Sequence, residues 1–225
     1  MEFLMDINEA VERRNSVRQY TDKPIEGEVL DALRAEIDSI NAEGDLHFQL
    51  VLDRPDAFEG PLASYGKIAG ARNYVALVGK KCKNLAEKCG YFGERLVILA
   101  ARLGLHSCWL ALTYKKLTDS FTALPGEKFT VIIALGYGRN RGFRHKSKAP
   151  EAVSNLTPDS PEWFRRGILG ALRAPTAMNQ QKFRIEERGG KVRARAGIGF
   201  YTDMDLGIVK YHFELAAGKK NFEWE

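Results

Sequence analysis

The chain has 225 residues, of which 44% are hydrophobic and 28% charged, with a formal net charge of +5. That is enough chain for one large domain or two small ones with a hydrophobic core, in an ordinary globular composition. No apolar run reaches the roughly 18 residues of a bilayer-spanning helix. Met1–Asp6 lacks the basic and apolar regions of a secretory signal, so a cytoplasmic protein with no membrane partner is expected. Cys82, Cys89 and Cys108 are odd in number and widely spaced, which argues against a disulfide framework. His47, His106, His145 and His212 show no zinc-site spacing, so no metal is expected.

In chain order, the first element is a short helix over about 7–14, with Asp6 as cap and Glu9 in the capping-box position. A helix over about 28–40 follows, with Val29, Leu33, Ile37 and Ile40 on one face. His47–Leu52 alternates as a strand, and Tyr74–Val78 reads as a buried strand. The segment from about 84 to 103 predicts the longest helix; its half Leu96–Ala101 is apolar all round, as in a helix buried inside the molecule. Ser107–Leu112 and Phe129–Leu135 read as strands. Residues 149–162, with Pro150, Pro158 and Pro161 among polar residues, read as a linker. A helix through Trp163, Ile168 and Leu172 comes next. A hairpin follows, Phe183–Arg188 and Lys191–Ala196 around Gly189-Gly190. The last helix, about 204–217, carries Leu206, Val209, Phe213 and Ala216 on one stripe and is closed by Gly218. Both parts run helix, strands, long helix. Their long helices end in Leu99-Ala100-Ala101 and Leu215-Ala216-Ala217, each with a Trp after it, which suggests an internal duplication. The division expected is 1–148, a linker at 149–162, and 163–225.

Two basic clusters stand out. Arg13-Arg14-Asn15-Ser16-Val17-Arg18 puts three guanidiniums and a hydroxyl at a helix end. Guanidinium forks suit phosphate oxygens, although a solvated helix C-terminus also favours arginine. Residues 139–148, Arg139-Asn140-Arg141-Gly142-Phe143-Arg144-His145-Lys146-Ser147-Lys148, form the densest basic stretch. Within it Arg144-His145-Lys146-Ser147-Lys148 suits an anion or nucleic acid, but its one neighbouring aromatic, Phe143, is poor for base stacking. Gly136-Tyr137-Gly138 follows a predicted strand, yet its glycine spacing and the absence of a following helix exclude a dinucleotide loop. Ala174–Gln181 offers Thr176, Asn179 and Gln181, whose donors and acceptors could meet a heterocycle edge, or could simply form a turn after a helix.

Together these segments resemble the nitroreductase family of flavoproteins. Arg13–Arg18 is similar to its R-R-x-S-x-R motif. Ala174-Pro175-Thr176-Ala177-Met178-Asn179-Gln180-Gln181 resembles A-P-S-x-x-N-x-Q, with Lys182-Phe183 where the family has Pro-Trp. Ala101–Trp109 resembles A-x-x-L-G-L-G-T-C-W, Ala134–Tyr137 resembles A-L-G-Y-P, and Lys146–Pro150 resembles the phosphate-binding K-S-R-x-P. The order departs from the family, because the A-P-S-like motif follows the linker instead of the first long helix. That order resembles a subgroup in which the usual homodimer is fused into one polypeptide.

The resemblance implies an α+β fold: a nitroreductase-like α/β sandwich with a mixed, mainly antiparallel sheet, a central buried helix and two related halves. It implies one FMN, in a composite site between those halves. The FMN phosphate and ribityl chain would fall to Arg13, Arg14, Asn15, Ser16, Arg18, Lys146, Ser147 and Lys148. Pro175, Thr176, Asn179 and Gln181 would touch the isoalloxazine ring, backbone groups of Ala111 and Leu112 would face N5, and Tyr65 to Lys67 would lie at the pyrimidine edge. Either NADH or NADPH would give hydride to the flavin, and a small acceptor such as a nitroaromatic or a quinone would take it. No acid–base residue is then required in the chain. The implied state is a monomer with an internal pseudo-dimer, or one that self-associates further. The rival readings are a flavin-binding protein for storage or sensing, and a basic nucleic-acid-binding protein.

Overall fold

The computed structural model describes residues 4–115 and 119–225. They divide into two compact units. The first takes the chain to Leu85 and Arg95–Arg144; the second takes Ala86–Glu94 and His145–Glu225.

In the first unit, helix α1 (Ile7–Arg13) starts at Asp6, whose carboxylate accepts the N–H groups of Asn8 at 2.8 Å and Glu9 at 3.2 Å. These bonds satisfy two of the donors every helix start leaves open. Helix α2 (Gly27–Gly44) buries Leu33, Ile37 and Ile40 and runs four residues past the expected end. It stops where Asp45 turns left-handed at φ 49. Strand β1 (Gln49–Val51), helix α3 (Pro61–Tyr65), strand β2 (Asn73–Lys80), helix α4 (Leu85–Arg102), strand β3 (His106–Leu110) and strand β4 (Glu127–Gly136) follow. The sheet has the order β1-β2-β4-β3 and is antiparallel throughout. β2 and β4 lie inside it, which is why Tyr74–Val78 and Val131–Leu135 are unbroken apolar runs. Leu96, Val97, Ile98 and Ala100 of α4 are buried, as their all-round apolarity predicts.

The segment after α1 is extended and pairs with this sheet. Val17 donates its N–H to Ser107 O at 3.0 Å, Tyr20 donates to Ala69 O at 2.9 Å, and Arg139 donates to Gln19 O at 2.9 Å. Val17 and Tyr20 are buried, and the Tyr20 hydroxyl donates to Val17 O at 2.7 Å.

The second unit contains helix α5 (Pro150–Val153), helix α6 (Glu162–Ala171), strands β5 (Phe183–Arg188) and β6 (Lys191–Ala196), helix α7 (Thr202–Ala217) and strand β7 (Glu223–Trp224). β5 and β6 form the expected hairpin, with Gly189 and Gly190 at φ 61 and 86 in its two-residue turn. β7 joins β6 in parallel, so the sheet is mixed. Phe164, Ile168, Ile185, Val192, Val209 and Phe213 fill its core. Residues 149–162, expected as a linker, instead hold α5 and bury Val153, Ser154 and Leu156. The prolines misled because Pro150 sits in the first turn of a helix, where its missing N–H costs nothing. Helix α7 also differs from the single stripe expected. It is buried on nearly every side, including Asp205 and His212. Part of its cover is Ala86–Glu94 of α4, and there His212 Nε2 lies 2.8 Å from Glu94 Oε1 with both side chains fully buried.

Among the described residues no helix is long and apolar enough to cross a membrane, and no cluster of His, Cys, Asp and Glu could hold a metal.

Two glycines set the spacing of α7 from α4. A Cβ on Gly207 would sit 1.9 Å from Glu87 O, and one on Gly90 would sit 2.0 Å from Met204 O. Alanine in an open helix position would add about 1 kcal/mol of propensity. Here overpacking reverses the sign, so Gly207→Ala is expected to lose about 2–3 kcal/mol in urea unfolding. A variant as stable as the parent would show that these helices part freely.

Candidate functional site

In the first unit the extended segment brings its arginines against distant parts of the chain. Arg13, Arg14 and Asn15 line a cleft of about 450 Å³ with His106, Ser107, Arg139, Asn140 and Arg141. Four arginines thus line one space, and no carboxylate is among its described lining residues. Several bonds set the shape. Asn15 Nδ2 donates to Arg13 O and Arg141 O, both at 3.2 Å. Arg139 Nε donates to Tyr20 O at 2.8 Å, and Asn140 Oδ1 accepts the Gly142 N–H at 3.0 Å. Arg13 also pairs with Glu9 at 2.5 Å, on the exposed side of α1.

His106 completes the cleft as a neutral donor. Burial first, then the Arg141 charge, hold its pKa below the usual histidine range. Its Nδ1 accepts the Gly138 N–H at 3.1 Å, which leaves the proton on Nε2. Ser16 and Arg18 follow Arg14 at the two-residue period of extended chain, so the three share a side. Cys108 registers all three: burial pushes its thiol up, while Arg18, Arg14 and a Ser16 hydrogen bond act downward.

Ala111 and Leu112 lie past the end of β3, whose pairing stops at Leu110 opposite Ile132. The strand expected over Ser107–Leu112 thus ends before them, and they line a second cavity of about 800 Å³ with Glu59, Gly60, Pro61, Tyr114 and Lys115. The Tyr65–Lys67 segment comes close to it. A Cβ on Gly66 would meet Thr113 Cβ at 2.5 Å, and Lys67 is left-handed at φ 57.

In the second unit, Lys146–Lys148 and Thr176–Gln181 form one network. Gln181 Oε1 accepts the Lys148 N–H at 2.8 Å, and its Nε2 donates to Lys146 O at 2.9 Å and Asn179 Oδ1 at 2.8 Å. Asn179 Nδ2 donates to Lys146 O at 2.9 Å. Lys148 Nζ donates to Gln180 O and Gln181 O, at 2.9 and 3.0 Å. Ser147 Oγ donates to Leu172 O at 3.1 Å, and Thr176 Oγ1 accepts the Gln181 N–H at 3.0 Å. These bonds hold an unfavourable backbone, with Met178, Asn179 and Gln181 left-handed at φ 51, 52 and 46. Such residues cost about 1–3 kcal/mol each and persist only where the surroundings over-determine them. Gln181 is 3% exposed, so its amide acts by shaping the loop. Met178 and Asn179 are exposed on the loop, and Pro175 and Thr176 partly so.

Asp205, at the start of α7, supports that loop. Its carboxylate accepts the Ala177 N–H and the Gln180 Nε2–H, both at 2.9 Å. Burial pushes its pKa up to about 6, against the pull of these two bonds.

Sequence reading missed Arg139, Arg141, His106 and Asp205 as site residues. The first two lie in the basic run it singled out, but only strand pairing shows that they return to Arg14. His106 lies inside a recognised motif whose aligned position carries no such side chain. A lone Asp at a helix start reads as an ordinary cap, and nothing in the sequence says that this one is buried.

Asp205 has a pH signature. Its folded pKa lies above the unfolded value, so the folded chain binds a proton first as pH falls, and this group then adds stability. The stability of the parent relative to Asp205→Asn is expected to rise on acidification from about pH 7 to 4, most steeply at about pH 5, midway between the unfolded and folded values. Denaturant titrations at several pH values measure it; a flat difference would place the Asp205 pKa in the ordinary range.

Three solved structures share the fold. A "putative nitroreductase" from Thermotoga maritima superposes with TM-score 0.72 at 22% identity, over 97% of this chain and 87% of that one. A "putative nitroreductase in complex with fmn" from Desulfovibrio desulfuricans gives 0.51 at 18%, over 70% and 99%. A nitroreductase family protein from Streptococcus pneumoniae gives 0.51 at 12%, over 65% and 97%. No curated protein matches the chain. The mixed α+β architecture with its antiparallel ladders is the one these structures have. Residues 6–217, nearly the whole chain, match the family described as "Putative TM nitroreductase", and the protein belongs to that nitroreductase family.

Proposed function

We propose that the protein is an FMN-dependent oxidoreductase that passes hydride from NADH or NADPH to a small acceptor such as a nitroaromatic or a quinone. The observation that carries this reading is the cleft of four arginines with no lining carboxylate. Its donor set fits a phosphate monoester, because guanidinium forks and a neutral His N–H all point to an oxyanion ligand. Family membership supports it, as does a structural relative solved with FMN.

In this reading Arg13, Arg14, Arg139 and Arg141 hold the phosphate, with the His106 Nε2–H as a fifth donor. Ser16 and Arg18 meet the ribityl chain. Pro175 and Thr176 are the second unit's candidates for the ring edge, on a loop whose shape Asn179, Gln181, Lys148 and Asp205 fix. When bound, FMN supplies the hydride chemistry at its N5. The chain binds, orients and excludes water, and cations near the ligand stabilise negative charge that develops on it. Titratable catalytic residues are not needed for that task.

The visible spectrum of the purified protein with added FMN tests the binding. One FMN per chain is expected; two would sink the single-site reading. Arg14→Gln and Arg141→Gln should each weaken FMN at least about tenfold, since each removes a charge-assisted bond worth roughly 1.5–3 kcal/mol. An unchanged FMN affinity in both would overturn the arginine assignment. Steady-state NAD(P)H oxidation with a quinone or nitroaromatic acceptor tests turnover, and a flavin-loaded protein without it would be a storage or sensing protein.

A further inference from the structure

The β5–β6 hairpin has two unlike faces. Phe183, Ile185 and Val192 are buried in the core of the second unit. The alternate positions are solvent-facing and basic: Lys182, Arg184 and Arg188 on one strand side, Lys191, Arg193 and Arg195 on the other. Register sets Arg184 opposite Arg195 and Arg188 opposite Lys191. Three acids share the face, the third being Glu225, which follows Glu223 by two residues just past the end of β7 and lies beside Arg193. Glu186 lies opposite Arg193 and 3.4 Å from Arg184 Nε, and Glu223 of β7 lies opposite Lys191. Like charges directly opposite each other destabilise a hairpin. Two such pairs on one short ribbon oppose folding, and an anionic partner would relieve them.

A second feature adjoins this face. At the open end of the hairpin, the Gly197 N–H donates to Lys182 O at 2.8 Å, and the chain then runs out to α7. Ile198 is 96% exposed and Phe200 80%. Met178, 94% exposed, belongs to the neighbouring loop, which is tied to this one by Gln180 Nε2 donating to Phe200 O at 2.6 Å. A Cβ on Gly199 would lie 3.0 Å from Lys182 Cδ, so the apolar tip sits directly beside the basic face. Large apolar side chains in such exposure, next to a cationic sheet, ask for an apolar environment that begins where anions are.

We infer that this part of the second unit docks on a lipid bilayer with anionic headgroups: the Arg/Lys face of the hairpin meets the phosphates, and Ile198, Phe200 and Met178 enter the boundary of the acyl region. A bilayer fits better than nucleic acid. The two most exposed apolar side chains of the tip, Ile198 and Met178, are not aromatic and cannot stack on bases as Phe200 and Tyr201 could. Aliphatic and aromatic residues beside Lys and Arg are what interfacial segments use. Met178 belongs to the loop that the flavin reading uses, but the variants below lie outside that loop, so vesicle binding and FMN binding are read separately.

Flotation of the full chain with phosphatidylglycerol-containing vesicles tests it, with pure phosphatidylcholine vesicles alongside. Binding is expected to the first only, and to weaken as salt rises. Arg193→Glu with Arg195→Glu should lower vesicle partitioning at least about tenfold, as each basic residue near an anionic surface contributes about fivefold. Ile198→Ser with Phe200→Ser should lower it as well. All four positions are exposed, and thermal melts matching the parent would show each variant folded. Emission of Phe200→Trp should shift blue with phosphatidylglycerol vesicles. No vesicle binding, equal binding to both vesicle types, or unshifted emission would overturn the proposal. So would Arg193→Glu with Arg195→Glu that spares vesicle binding but abolishes a shift with a DNA duplex, which would make the face a nucleic-acid site.

Discussion

One backbone rung organises the first unit: the Val17 N–H donated to Ser107 O at 3.0 Å. β3 is the last strand of its sheet, and this bond lays the segment after α1 along it. Val17 and Tyr20 anchor the segment by burial. With them fixed, Arg14 has no choice of direction, and the turn after β4 returns Arg139 and Arg141 to the same place. Like charges gathered this way repel one another, and Arg14, the buried one, also loses hydration. The apolar anchors hold them in spite of that, and the cleft is left with a standing demand for negative charge. Structure is thus spent on keeping an unfavourable charge arrangement ready, which is the arrangement a phosphate stabilises.

The second unit meets a comparable cost in a different form. Its loop holds three non-glycine residues left-handed and keeps a carboxylate in a buried place that raises its pKa to about 6. The support is a rigid one. Backbone of α7 meets backbone of α4 at Gly207 and Gly90, and Phe213 packs edge-on against Phe164 and Phe222. A helix pair that close has little freedom to shift, so Asp205 is delivered to Ala177 and Gln180 at fixed distance. The rule is general: strained backbone persists where packing over-determines it.

Local periodicity made most elements legible. The hairpin strands, the Gly189-Gly190 turn, the Asp6 cap and the buried half of α4 all follow from spacing within a few residues. What failed had non-local causes. Proline spacing suggested a linker where Pro150 opens a helix and Ser154 Oγ donates to Pro150 O at 2.8 Å. Apolar residues in α7 suggested one stripe, but its remaining sides are covered by residues some 120 positions earlier, as the 118-residue separation of Glu94 and His212 shows. β3 ends two residues before its apolar run does, because Ala111 and Leu112 are as apolar as the strand before them and only the end of pairing with β4 marks the boundary.

The motif Thr176–Gln181 shows the limit of reading chemistry from side-chain type. Its Asn and Gln look like groups for a ligand, since both donate and accept. In the fold these amides are engaged with Lys146 and Lys148 backbone, and the Lys148 ammonium is held by two loop carbonyls. Two segments that the sequence suggests as separate ligand sites are therefore one structure, each the other's partner. The residue types that mark the motif would then persist for the conformation they enforce. A ligand at this loop would meet the backbone and the small side chains of Pro175 and Thr176, and substitutions at Asn179 or Gln181 would act on it through the loop's shape.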